Sequence, residues 1–219
     1  MGERRKGVLG MKNVMGMLCA MAIVILAGTA DAKKMYAGVK GGLNIAELTG
    51  DDANGLDSKN GFVGGAFYGV DFTDDFGARL EGLYVMGGAE GPYETEDGDT
   101  HDSIISLDYI QFPLLFVVKI PTSEKFVFNL ALGPTFSFNT TAEVEVPEHG
   151  ETLEISNVNS FELGALIGGG VEYQLSSMSI LLDARYSAGG TNVVDADPSD
   201  IKNRGIGIMA GVSFPLGSN

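Results

Sequence analysis

Cysteine occurs once in 219 residues, tryptophan not at all and histidine only twice. The single cysteine, Cys19, lies in the middle of an apolar run rather than at its end behind a small residue. It therefore fits neither a lipid attachment site nor a disulfide, and the chain beyond it has no thiolate nucleophile. Basic residues are also few, with 14 Lys and Arg against 29 Asp and Glu and a formal charge of −15. A chain of this sign is a poor partner for nucleic acid. Proline is scarce at 7 while glycine is abundant at 32. No long stretch keeps the 3.6-residue period of an amphipathic helix, which leaves an all-β fold.

The chain opens with Arg4, Arg5, Lys6 and Lys12, followed by the apolar run VMGMLCAMAIVILAG at 14–28 and the small-x-small sequence Ala30-Asp31-Ala32. This is the pattern of a secretory signal peptide over residues 1–32, with its start at Met1 or Met11. The run is shorter than the ~20 apolar residues of a spanning helix. Residues 33–219 then form one domain. Removing the four bases and two acids of residues 1–32 leaves 10 bases against 27 acids, or about −17.

Eight segments alternate with period two: 35–46, 61–72, 77–88, 105–120, 126–139, 161–175, 179–190 and 204–216. The connections between them hold 14, 4, 16, 5, 21, 3 and 13 residues, so long and short alternate strictly. Antiparallel neighbours joined this way place all long loops at one end, with the short turns and both termini at the other. That is the pattern of an eight-stranded up-and-down transmembrane β-barrel, with short periplasmic turns and long extracellular loops. Each segment also meets the ~9–11 residues a tilted strand needs to cross a bilayer.

The face of each strand decides between lipid and core. In FVFNLALGPTFSFN, residues 126–139, every second residue from Phe126 to Phe138 is apolar, and the other parity carries Asn129, Thr135, Ser137 and Asn139. A soluble lipid-binding barrel would turn the phenylalanines inward. Eight strands, however, leave an interior barely wide enough for side chains, and seven or eight phenylalanines overfill it. The opposite parity suits the lumen better. It is rich in Gly, Ala, Ser and Asn and carries Lys40, Asp71, Arg79, Glu81, Lys119, Glu162, Glu172, Asp183 and Arg185. Only Asp108 and Arg204 fall on the apolar parity, both at strand ends beside long loops. Phe62, Phe138 and Phe161 mark one aromatic girdle and Phe72, Phe126, Tyr173 and Phe214 the other. Pro134 interrupts the pattern in mid-strand, where it cannot donate to a ladder, and a bulge is expected near Gly133-Pro134.

The stretches GVKGGLN (38–44), GARLEGLYVMGG (77–88), LDYIQFPLLFVVK (107–119), LALGPTFSFN (130–139), LDARYSAGGTNV (182–193) and GIGIMAGVSFPL (205–216) together resemble the outer membrane protein beta-barrel family. Tyr109 followed by Pro113 to Leu115, and the Arg185-Tyr186-Ser187 run, point to its PorT-like group. The resemblance implies an eight-stranded barrel in the bacterial outer membrane, and the PorT group is linked to a secretion and gliding apparatus.

Chemistry is concentrated in the long connections, which hold 18 acids against Lys59 and Lys202. Their acidity and scarcity of aromatics are those of mobile, solvated loops. DGDTHD at 97–102 groups Asp97, Asp99 and Asp102 as oxygen ligands for Ca²⁺, but it lacks the distal glutamate of an EF-hand. His101 with Asp102, near Ser103 and Ser106, is the one candidate pair for a lipid hydrolase or protease. His149 lies in the exposed context Pro-Glu-His-Gly-Glu. No serine stands in a recognisable nucleophile turn. The sequence therefore favours a non-enzymatic barrel without cofactor. Its partners would be outer-membrane lipids, lipopolysaccharide, and a protein met through the acidic loops.

Overall fold

The computed structural model describes residues 34–50, 53, 56–94, 100–146, 151–155, 158–191 and 201–217. The expected signal peptide, Asp97, Asp99 and His149 lie outside them. Among the described residues nine strands form: β1 (Lys34–Thr49), β2 (Asp57–Asp71), β3 (Phe76–Glu94), β4 (Thr100–Pro121), β5 (Phe126–Val146), β6 (Glu151–Glu154), β7 (Phe161–Gln174), β8 (Ser179–Gly189) and β9 (Lys202–Leu216). Eight of them close into an antiparallel barrel, because β1 pairs with β9 and β4 with β5. The ninth, β6, pairs with the far end of β5. Short turns are tied by their own hydroxyls. Thr73 Oγ1 accepts the Phe76 N–H at 3.0 Å, and Ser123 Oγ accepts the Phe126 N–H at 3.2 Å.

The polar parity faces inward. Val127, Asn129, Ala131, Thr135 and Ser137 are buried, whereas Phe126, Phe128, Leu130 and Leu132 are exposed on the outer wall. A soluble carrier with its phenylalanines inside is thereby overturned. Large apolar side chains stand exposed around the wall, among them Val39, Phe62, Phe116, Ile167, Leu182 and Ile208. Water would penalise such a band, and lipid favours it. Cross-strand rings pair at both edges of the band: Phe138 with Phe161 at 5.3 Å and Phe126 with Tyr173 at 4.9 Å between centroids.

Two expectations about the backbone are corrected. No bulge forms at Pro134. The β5 to β7 register runs unbroken through Gly133↔Leu166 and Pro134↔Ala165. On the other side, the β4 to β5 pairing resumes at Phe116↔Leu132 in the register it held at Pro113↔Thr135. Only the rungs between are missing, because proline has no N–H to give. The register shift lies higher, between Asp108 and Tyr109. The extra residue there is Thr140, whose Oγ1 donates to the Asp108 carbonyl at 3.1 Å. The long connections are also more ordered than their composition implies. Residues 89–94, 100–104, 140–146 and 151–154 continue the sheet. At ~3.3 Å per residue, the 22 residues of β4 extend far beyond a bilayer.

A second irregularity lies between Ser58 and Val63 in the β2 to β3 pairing, and Gly87 and Gly88 of β3 approach the β4 backbone closely. Gly88 has φ 123°, and a β-carbon there would collide with the Ile105 carbonyl. Gly88→Ala should therefore destabilise the barrel by about 1–3 kcal/mol, read as a lower urea midpoint of the refolded protein.

Candidate functional site

Five lumen charges meet in one layer. Glu81, 1% exposed, projects from β3 and accepts Lys40 Nζ at 2.7 Å and Arg185 Nη1 at 2.6 Å. Arg79 Nε lies 2.9 Å from Glu81 Oε1, but its N–H is not aimed at that oxygen, so this contact is Coulombic. Asp183 joins Lys40 and Arg185, each at 3.2 Å. Glu81 is thus the hub of a cluster that ties β1, β3 and β8 across the lumen. Alternation along the strands implied the same-strand neighbours Arg79 with Glu81 and Asp183 with Arg185. The cross-lumen partners depend on barrel curvature, which no local pattern encodes.

Asp71 and Lys119 form a separate pair at 2.7 Å nearer the short turns. Glu162 and Glu172 are buried and, among the described residues, form no ion pair. The lumen also holds two aromatics that sequence reading did not single out. Phe67 stacks edge-on with Tyr36 at 6.3 Å and lies 5.6 Å from Lys40 Nζ and 5.7 Å from the Arg79 guanidinium. Lys119 sits 4.6 Å from the Tyr36 ring centre. The available signal is the residue opposite. Phe67 pairs with Gly38 and Tyr36 with Gly69, and each ring occupies the space a β-carbon would need.

The lumen is filled on the long-loop side of this cluster. Leu48, Ala89, Leu107 and Tyr109 form an apolar plug, with Leu56, Ile155, Val158 and Ile201 packed against it from the connections. On the short-turn side, Asp71, Lys119 and Glu172 line a vestibule of about 830 Å³. Charge layer and plug together deny the barrel a continuous aqueous path, as its strand number implies.

Outside the wall, Asp108 is buried and accepts the Tyr84 hydroxyl at 2.6 Å. Lys59 passes beside Gly87, donating to its carbonyl at 3.3 Å, and reaches Ser106 Oγ at 2.6 Å. A charge on the apolar parity is therefore tolerated where a tyrosine hydroxyl meets it at the rim. Above it, the outer face of the extended sheet carries Asp57, Glu90, Glu143 and Glu145. Register aligns Asp57 with Glu90, and both Glu90 and Glu145 with Ile104. Arg204, also on the apolar parity, is exposed and pairs in register with Glu47.

His101 and Asp102 lie in β4, opposite Tyr93 and Pro92. Their backbone continues a β-hairpin rather than forming a turn. The Ser103 hydroxyl is committed to the Gly91 carbonyl at 2.9 Å, and Ser106 accepts from Lys59. Among the described residues, no three His, Cys, Asp or Glu side chains are placed to hold a metal ion.

A closed antiparallel barrel with an apolar outer band, aromatic girdles and a charge-paired lumen defines an integral β-barrel of the outer membrane. The chain belongs to the family described as outer membrane protein beta-barrel domain, whose model matches residues 29–195. Among solved structures it is similar to Neisserial surface protein A, at 16% identity and TM-score 0.50, over 83% of this chain and 97% of that one. It is also similar to OprG from Pseudomonas aeruginosa, at 11% identity and TM-score 0.49, over 85% and 98%. The attachment invasion locus protein Ail of Yersinia pestis aligns at 16% identity and TM-score 0.42, over 83% and 99%. No curated protein sequence matches the chain.

Proposed function

We propose that this barrel is a non-enzymatic anchor that presents an acidic extracellular sheet to a basic protein partner. The observation that carries the reading is the continuation of β3, β4 and β5 past the apolar band. There Glu90, Glu143 and Glu145 share one outward face. A lumen occupied by the Glu81 cluster supports a role at the surface rather than in conduction. The PorT-like resemblance makes a component of a secretion or gliding apparatus the partner of choice.

Crosslinking on intact cells tests this reading. A basic protein should be captured at low salt and lost at high salt, since exposed charges are screened within about 10 Å at 0.1 M. Exchanging Glu90, Glu143 and Glu145 for Gln should weaken capture about tenfold, at roughly 0.5 kcal/mol per exposed pair. Recovery of lipopolysaccharide alone would overturn the reading.

A further inference from the structure

We propose that the lumen holds one ordered water molecule, bound between Arg79 of β3 and Asn129 of β5. The inference stands apart from the partner-binding reading and begins with two unsatisfied groups. Arg79 Nε and Asn129 Oδ1 are both buried, and among the described residues neither has a hydrogen-bond partner. Leaving two such groups dry costs about 1–3 kcal/mol each.

Both residues line one void of about 20 Å³. Its origin is local. On β7, Gly168 and Gly170 stand opposite Arg185 and Asp183 of β8, and the absent side chains leave the space open. A bound water needs roughly 10–15 Å³ by this measure, together with two to four polar partners. The void meets the first requirement for a single molecule. It also meets the second. The Arg79 Nε–H can donate to the water, and the water can donate to Asn129 Oδ1 and to Asp183, which lines the same void.

The chemistry selects water over a small anion. Lys40, Arg79 and Arg185 outnumber Glu81 and Asp183 in this layer, so a chloride would gain from the field. Yet the unsatisfied atom on Asn129 is an acceptor, and an anion cannot satisfy it. The Asp183 carboxylate would repel it as well. The water therefore joins β5 to the cluster that already ties β1, β3 and β8.

A high-resolution crystal structure of the full barrel, with crystals soaked in bromide, tests the site. The expected result is a single oxygen peak within about 3.2 Å of both Arg79 Nε and Asn129 Oδ1. An empty void, or an anomalous bromide peak in it, would overturn the proposal. Ala131 also lines the void, and Ala131→Ser should place a hydroxyl there and abolish the peak. A water retained at full occupancy beside that serine would show that it sits elsewhere.

Discussion

Replacing Glu81 by Gln should cost the barrel about 3–5 kcal/mol, the largest loss expected from any one lumen position. The exchange keeps volume but removes the charge to which Lys40 and Arg185 donate and beside which Arg79 lies, and it turns one of the two acceptor oxygens into a donor NH2. Three buried cations would then share Asp183 alone. Unfolding by urea in lipid vesicles reads the effect as a drop in midpoint on the order of 1–2 M, with the slope unchanged. Glu162→Gln is the matched control. Glu162 is also buried but, among the described residues, has no ionic partner to strand. The logic differs for deletion of the whole cluster. Exchanging all five charges for apolar residues of similar volume removes the desolvation penalty together with the attraction, and should be neutral or stabilising by about 1–4 kcal/mol. A Glu81→Gln loss below about 1 kcal/mol would mean that lumen water screens the cluster.

Leu132→Arg should destabilise the barrel by about 2–4 kcal/mol in a bilayer. Leu132 stands six residues from Phe126 and six from Phe138, midway between the girdles, and is 56% exposed with Phe116 and Ile167 beside it in register. A guanidinium there meets hydrocarbon on every side. The companion substitution Leu132→Ala separates lipid from core. Inside a soluble core it would open a cavity and cost about 2–5 kcal/mol, whereas acyl chains close over the gap on a lipid-facing wall. Refolding yields and urea midpoints for the two variants in vesicles make the comparison. An alanine loss as large as the arginine loss would contradict the outward assignment.

Which parts of this molecule were legible in the chain follows from what each part depends on. Strand number and facing depend on alternation within a segment; of the nine charges on the polar parity, Lys40, Asp71, Arg79, Glu81, Glu162, Glu172 and Arg185 are buried, and Lys119 and Asp183 are half-buried and ion-paired. Strands run past the alternating segments toward the long loops, by 6 residues in β3 and 7 in β5. Above the bilayer the outer face no longer needs to be apolar. Glu90, Glu143 and Glu145 then erase the contrast on which a period of two is recognised. Pro134 predicts a bulge, yet the information it carries locally is only the loss of rungs. The true shift at Thr140 depends on how β4 and β5 meet. Pairings across the lumen, such as Lys40 and Arg185 with Glu81, join residues 41 and 104 positions apart. Such contacts are set by closure, and no segment carries their signature.

The seam that closes the barrel, between β1 and β9, runs without interruption from Met35↔Leu216 to Thr49↔Lys202. The seams flanking β4 each lose two rungs, at Glu81 and Gly82 on one side and at Gly133 and Pro134 on the other. Chain termini are therefore not where this cylinder is most easily unzipped. The gaps in the wall's ladders lie instead between β2 and β3, from Ser58 to Val63, and on both sides of β4. β3 and β4 rise together above the membrane, with Glu94 opposite Thr100, so a pull on the exposed sheet bears on the very seams that hold those gaps.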